Sequence, residues 1–286
     1  MIFIQFVPIL DRFCIDILPR VHHNVKCFIL DSIYMERILL AANYPYLSEL
    51  KLYNFNHDIA SSYFTDESFF QHIFRQITDL SLICNEDISK TSVESCAKDV
   101  YIYILAFFKN LTHLSIVGLS KNQCQPLSLS NLPSTTFSSS ILTRLCINLC
   151  SIQDCLSLLD GRLKHLSTLI VVVYGTKNDS TFDHNMDDLP ILKCFSLTYN
   201  LIEAYDAQVV PLLRRMLYLE ELTLYLSINN RAIFVDGTYL YNEILIHMPQ
   251  LRTFSFYIRT QIDIGNSIHQ LSINDIEQTF NKVQYQ

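Results

Sequence analysis

Apolar residues recur along the chain in a six-residue frame, apolar-x-x-apolar-x-apolar. The frame occurs nine times, with the first residues Val25, Leu47, Ile77, Leu111, Leu142, Leu166, Leu192, Leu219 and Leu251. The second position is polar in all nine frames, which is far from random in a chain that is 50% apolar. The pattern predicts nine short strands whose first, fourth and sixth frame positions face a core.

Helix-like segments occupy the gaps between the frames. Met35, Ile38 and Leu39 form an apolar stripe at helical spacing. For other helix starts the sequence predicts Asp154 and Thr238 as N-terminal caps and Pro211 in a first helical turn. Alternating strands and helices predict an α/β fold with parallel strands. The pattern runs from end to end, so we expect residues 1–286 to form a single domain.

The ninth frame position indicates the type of repeat. It is Asn85, Cys150 or Asn200 in three frames, which matches the leucine-rich pattern L-x-x-L-x-L-x-x-N/C. The sequence therefore predicts a leucine-rich-repeat solenoid with a curved parallel sheet inside and helices outside. The frames predict these buried residues: Leu50, Leu80, Leu114, Leu145, Leu169, Phe195, Leu222 and Phe254.

Composition narrows the class of protein. Only 17% of the 286 residues are charged, which predicts a folded chain. The net charge is −7 and no basic stretch is interleaved with aromatic residues, which argues against a nucleic-acid partner. The apolar segments are too short to span a bilayer, so no membrane contact is expected. Nine cysteines without a CxxC pair and no secretory signal predict an intracellular location, cytoplasmic or nuclear.

Residues for catalysis or cofactor binding are not apparent. The five glycines are too far apart for a phosphate loop, so we expect neither a cofactor nor an enzyme. Asp183, Asn185 and Asp187 copy the first ligands of a calcium loop, but Asp188 and Cys194 stand where Gly and Glu are required. We interpret this segment as a solvated loop without metal and keep a metal-loop hydrolase as an alternative.

Frame positions three, five and seven are expected to face solvent on the inner, concave side of the sheet. The candidate ligand-binding residues there are Glu49, Lys51, Tyr53, Asp79, His113, Arg144, Asn148, Glu221, Tyr225 and Tyr257. Tyr53, Arg144, Tyr225 and Tyr257 are the expected anchors, because Tyr and Arg often dominate binding energy. Two longer insertions, residues 121–140 and 175–188, are the alternative recognition elements.

With these frames the chain resembles the leucine-rich-repeat region of F-box proteins. Residues 150–154 are similar to their cysteine-containing repeat subtype, and residues 35–45, 64–68, 155–161 and 210–216 are similar to segments of invertebrate F-box-like proteins. The resemblance implies a non-catalytic substrate receptor of a ubiquitin ligase. No F-box is legible and the chain is expected to start within a repeat, so a ligase adaptor is implied only if an F-box is present elsewhere. The alternative is a free-standing adaptor without a ligase link.

Overall fold

The fold contains one open sheet of nine parallel strands. The computed structural model describes residues 7–65, 68–84, 104–105, 107–118, 138–174, 192–229, 231, 234–261 and 278–280. In sheet order the strands are β1 (Cys27–Asp31), β2 (Glu49–Phe55), β3 (Asp79–Cys84), β4 (His113–Gly118), β5 (Arg144–Leu149), β6 (Thr168–Val173), β7 (Cys194–Ile202), β8 (Glu221–Ile228) and β9 (Thr253–Thr260). The predicted α/β fold with nine parallel strands is confirmed.

Every strand begins at the third position of its frame. Up to the seventh position, paired residues of neighbouring strands therefore have the same frame position, as in Leu50↔Leu80 and Leu222↔Phe254. Beyond it the register shifts at a bulge in β2 and at another in β7. The predicted core residues from Leu50 to Leu222 are all buried. The prediction is wrong for Phe254, which is only half-buried. Strand β9 is last in the sheet order, so within the described residues a neighbouring strand covers it on one side only.

In the described residues, short helices precede β1 and lie between several of the strands. Their bounds are α1 (Val7–Arg12), α2 (Leu18–Val21), α3 (Met35–Leu40), α4 (His57–Tyr63), α5 (Gln71–Phe74), α6 (Ile152–Leu158), α7 (Tyr205–Arg214) and α8 (Gly237–Glu243). A π-helical turn follows α1 at Phe13–Ile17, and 3-10 turns lie at His22–Asn24, Ser32–Tyr34 and Leu245–His247. The predicted stripe of Met35, Ile38 and Leu39 is the buried side of α3.

The predicted helix starts are wrong by two to six residues. Ser151 caps α6 by accepting from the Asp154 N–H, and the Asp154 carboxylate accepts from the Ser151 N–H, which completes a capping box. Asp236 caps α8 by accepting from the Tyr239 N–H, so Thr238 lies inside the helix. Pro211 lies in the interior of α7 rather than in its first turn.

The chain divides into two compact units. The N-terminal unit comprises Met1–Leu127 and Thr135–Asn148, and the C-terminal unit comprises Ser128–Ser134 and Leu149–Gln286. Behind the N-terminal strands lies a cluster of buried phenylalanine rings, with centroids 5.0 to 6.0 Å apart, formed by Phe55, Phe64, Phe74, Phe107 and Phe108. The C-terminal unit buries Val209, Leu212 and Leu213 of α7. The single-domain prediction stays a prediction.

The polar second frame position has a repeated structural role. Its carbonyl accepts two backbone N–H groups from the next strand, as Thr78 O does from Thr112 N at 2.9 Å and His113 N at 3.0 Å. In the N-terminal unit a hydroxyl donates to the same carbonyl, for example Thr112 Oγ1 to Thr78 O at 3.0 Å. In the C-terminal unit Glu220 instead forms ion pairs with Lys193 and Arg252. Polar side chains thus reinforce the starts of β2 to β5 and of β7 to β9.

Candidate functional site

Most side chains at frame positions three, five and seven form the exposed sheet face of each unit, although Ile83 at position seven of β3 is buried. The alternation of strand side chains places them opposite the buried positions four and six. In the N-terminal unit Glu49, Tyr53, His113 and Arg144 are exposed there, whereas Lys51 and Asp79 are half-buried. In the C-terminal unit Glu221, Tyr225 and Tyr257 are exposed. These nine candidate residues therefore reach solvent.

The tenth candidate residue does not reach solvent. Asn148 is 1% exposed, so its predicted place on the exposed sheet face is wrong. Ile147 and Leu149 on either side of it are buried as well, which shows that the alternation ends where the chain leaves β5 towards α6. The Asn148 side-chain amide nitrogen has no hydrogen-bond partner in the described part of the chain. Asn148 is accordingly removed from the candidate binding set.

Position three of the N-terminal unit forms a row of polar side chains across five strands. The register pairs Cys27, Glu49, Asp79, His113 and Arg144 in that order. His113 Nδ1 lies 3.1 Å from Asp79 Oδ2, a contact that becomes an ion pair when the imidazole is protonated. The row passes from carboxylates on β2 and β3 to a guanidinium on β5.

Position five of the same unit carries mostly small side chains. Lys51 is in register with Ser81, Ser115 and Cys146 on the next three strands. The Lys51 ammonium lies 5.3 Å from the centre of the Tyr53 ring, within the range of a cation–π contact. Ser81, Ser115 and Cys146 are half-buried, so position five projects little on these three strands.

The exposed sheet face of the C-terminal unit carries a pair of stacked aromatic rings. Tyr225 on β8 and Tyr257 on β9 are in register, with ring centroids 4.7 Å apart and an angle of 16° between the ring planes. They are 49% and 53% exposed. Arg259 is exposed two positions beyond Tyr257 and was missed by the sequence prediction. The alternation of β9, continued to the ninth frame position, is the signal that identifies it.

A cysteine thiol lies on the exposed sheet face of each unit, and both thiols are disfavoured as nucleophiles. Burial raises the pKa of Cys27, and the Glu49 carboxylate that accepts its thiol hydrogen bond raises the pKa further. Burial likewise raises the pKa of Cys194, with Glu221 adding to the effect. A raised pKa lowers the fraction of thiolate, which is the reactive form. Both thiols are therefore expected to be weaker nucleophiles than an unperturbed cysteine.

The described residues contain neither a metal-binding cluster of side chains nor a membrane-spanning helix. In the described ranges no three His, Cys, Asp or Glu side chains are placed to hold a metal ion. The calcium-like segment 183–188 and the insertion 175–188 lie outside the described residues, as does the insertion 121–140 except for 138–140. Among the helices that the structure describes, none has the length and apolar character to cross a membrane.

A polar cluster in the C-terminal unit was not predicted from the sequence. Arg231 donates to both carboxylate oxygens of Asp206, at 3.0 and 3.1 Å, and its guanidinium lies 4.3 Å from the centre of the Tyr239 ring. The Tyr239 hydroxyl also donates to Asp206. The hydroxyl of buried Tyr205 has no partner among the described residues. Arg231 lies outside the frames, so no periodic signal indicates this cluster.

Comparison of the sequence with known families and curated proteins finds no match. No protein-family model matches the chain, and no curated protein is significantly similar to it.

Proposed function

We propose that the chain is a non-catalytic protein-binding scaffold of the leucine-rich-repeat type that contacts its partner through the exposed sheet faces. The observation that carries the proposal is the Tyr225–Tyr257 stack. Two large rings about half exposed, and held by strand register, are ready to bury a wide area on binding. Little side-chain entropy is lost when such pre-positioned rings make contact. Aromatic residues are enriched among those that dominate protein–protein binding energy.

The finer assignment is a substrate receptor resembling the repeats of F-box ubiquitin-ligase subunits, located in the cytoplasm or nucleus. The repeated strand start at frame position three and the repeated carbonyl bonding support a leucine-rich repeat. Free thiols such as Cys14, Cys146 and Cys155 support a reducing compartment. The alternative is an adaptor without a ligase link. Ligase subunits among the captured proteins would favour the receptor, and their consistent absence would favour the adaptor.

Affinity capture with the full chain as bait, followed by mass spectrometry, tests the proposal. The face variant replaces the four predicted anchors with alanine: Tyr53, Arg144, Tyr225 and Tyr257. The control variant carries Tyr46→Ala and Tyr218→Ala, because these tyrosines are also exposed but lie in turns that precede β2 and β8. Proteins bound by the exposed sheet faces should be retained by wild type and control and lost from the face variant.

Purified partner and calorimetry then give the size of the effect. We expect the face variant to weaken binding by about tenfold or more, the range of truncated anchor residues. Its melting temperature should stay near that of wild type, since exposed substitutions change stability little. Equal capture by all three baits contradicts the proposal. Binding that survives the face variant but is lost when residues 121–140 or 175–188 are replaced assigns recognition to the insertions.

A further inference from the structure

The charges at position three of the N-terminal unit are ordered along the sheet. Glu49 and Asp79 are adjacent on β2 and β3, followed by His113 on β4 and Arg144 on β5. At about 4.8 Å per strand, the Glu49 and Arg144 backbones lie about 14 Å apart. Glu49 and Arg144 are both exposed, and neither forms an ion pair with another residue that the structure describes. The Glu49 carboxylate accepts a hydrogen bond from the Cys27 thiol, which carries no compensating charge, so both charges can meet those of a second molecule.

This order is self-complementary under a two-fold rotation. The two-fold axis runs parallel to the strands, in front of the exposed face and midway between β3 and β4. Rotation about it places a second copy of the row opposite the first in reverse order. Glu49 then faces Arg144 of the second copy, and Asp79 faces His113 of the second copy, with both contacts occurring twice. We propose that the exposed sheet face of the N-terminal unit pairs with the same face of a second copy of this chain.

The residues nearest the axis are small enough for two faces to approach. Ser81 and Ser115 lie next to each other at position five and are half-buried. In the paired arrangement Ser81 faces Ser115 of the second copy, and Ser115 faces Ser81 of the second copy. Lys51 faces Cys146 of the second copy. No bulky side chain from position five therefore lies at the centre of the contact, while the opposite charges lie at its edges.

The size of the face predicts a weak dimer. The four strands that face each other in this arrangement, β2 to β5, span about 19 Å across the sheet, and strands of six residues are about 20 Å long. The resulting footprint is smaller than the roughly 800 Å² per partner of a standard stable interface. Charge pairs at a small interface mainly determine which partner is bound and how fast the partners associate. Salt screens the attraction between the paired charges. The dimer should therefore form at high protein concentration and dissociate as ionic strength rises.

Sedimentation equilibrium of the full chain tests the pairing. Glu49→Arg and Arg144→Glu each turn two attractive contacts into repulsive ones, so each variant alone should dimerise about tenfold or more weakly than wild type. An equimolar mixture of the two variants restores opposite charges at both contacts and should form a heterodimer near wild-type strength. Lys109→Glu, an exposed charge reversal outside the sheet, is the matched control and should dimerise like wild type.

Sedimentation of folded variants either supports the pairing or contradicts it. Circular dichroism confirms that each variant is folded. A wild-type chain that stays monomeric at low ionic strength overturns the pairing, as does a mixture of variants that fails to recover. If the wild type is monomeric but a captured protein is lost on Glu49→Arg or Arg144→Glu, the face binds a different protein. The inference rests on the proposed protein-binding function. Alanine substitutions at Tyr225 and Tyr257 test that function separately, so the pairing and the proposed function can each fail without the other.

Discussion

Replacing Thr112 with valine tests the role assigned to the polar second frame position. The Thr112 hydroxyl donates to Thr78 O at 3.0 Å, while Thr112 N and His113 N donate to the same oxygen at 2.9 and 3.0 Å. Valine is nearly isosteric with threonine and keeps the β-branch that suits a strand start. The substitution therefore removes one hydrogen bond and little else.

The expected cost is small because the acceptor stays satisfied. A typical hydrogen bond contributes about 0.5–1.5 kcal/mol, and larger losses arise when a buried group is left without a partner. Thr78 O keeps two N–H donors in the variant, so Thr112→Val should lower the free energy of unfolding by about 0.5–1 kcal/mol. The triple variant, with Thr78→Val and Thr143→Val added, should lose about 1.5–3 kcal/mol if the three hydroxyls act independently.

Urea unfolding followed by circular dichroism measures the effect. The midpoint should fall while the slope of the transition stays constant, which indicates a change in stability alone. Thr223→Val, on the exposed sheet face of β8, is the control and should change the midpoint little. A loss well above 2 kcal/mol for Thr112→Val alone would refute the reasoning, since it would mean that the two N–H donors do not satisfy the carbonyl. No loss in the triple variant would refute it equally.

Two further predictions concern the core and the acid stability of the C-terminal unit. Leu114→Ala and Leu222→Ala should each lower the free energy of unfolding by about 2–5 kcal/mol in the same urea assay, because both side chains are almost fully buried; a loss under about 0.5 kcal/mol would contradict their core position. Burial raises the pKa of Asp206, but hydrogen bonds from Arg231 and Tyr239 outweigh it, so the net pKa is lowered. That stabilisation is present above the ordinary value of 3.8 and is lost as pH falls through the lowered pKa. Asp206→Asn should therefore flatten the acid limb of a plot of urea midpoint against pH, and an unchanged acid limb would argue against the contribution.

The strands could be predicted because two independent regularities coincide at each of them. The apolar frame marks the side chains that must be buried, and the polar second position marks the residue whose carbonyl binds the next strand. Both depend on local sequence, so the nine strand starts follow from the chain alone. Phe254 shows the limit: its frame is intact, yet the last strand lacks a second neighbour to complete its burial in the described structure.

The helix starts were harder because several residues can cap the same turn. Before α6, Ser151 and Asp154 are both good capping residues, and in a capping box each contributes one hydrogen bond. Before α8, Asp236 precedes Thr238 by only two residues. Which one caps depends on the backbone angle at which the chain leaves the preceding segment, and a single sequence does not encode that angle in its periodicity.

Contacts between strands can be read from the frames in a way that contacts elsewhere cannot. Equal frame positions become register neighbours, so aligning the nine frames already places Asp79 beside His113 and Tyr225 beside Tyr257. The charge order on the exposed sheet face is therefore a property of the sequence, once its frames are aligned. The Arg231–Asp206 pair joins residues outside the frames, and no alignment of frames brings them together. Substitutions at frame positions three and five should thus alter binding in ways that the sequence anticipates, while the clusters behind the sheet must be located from the structure.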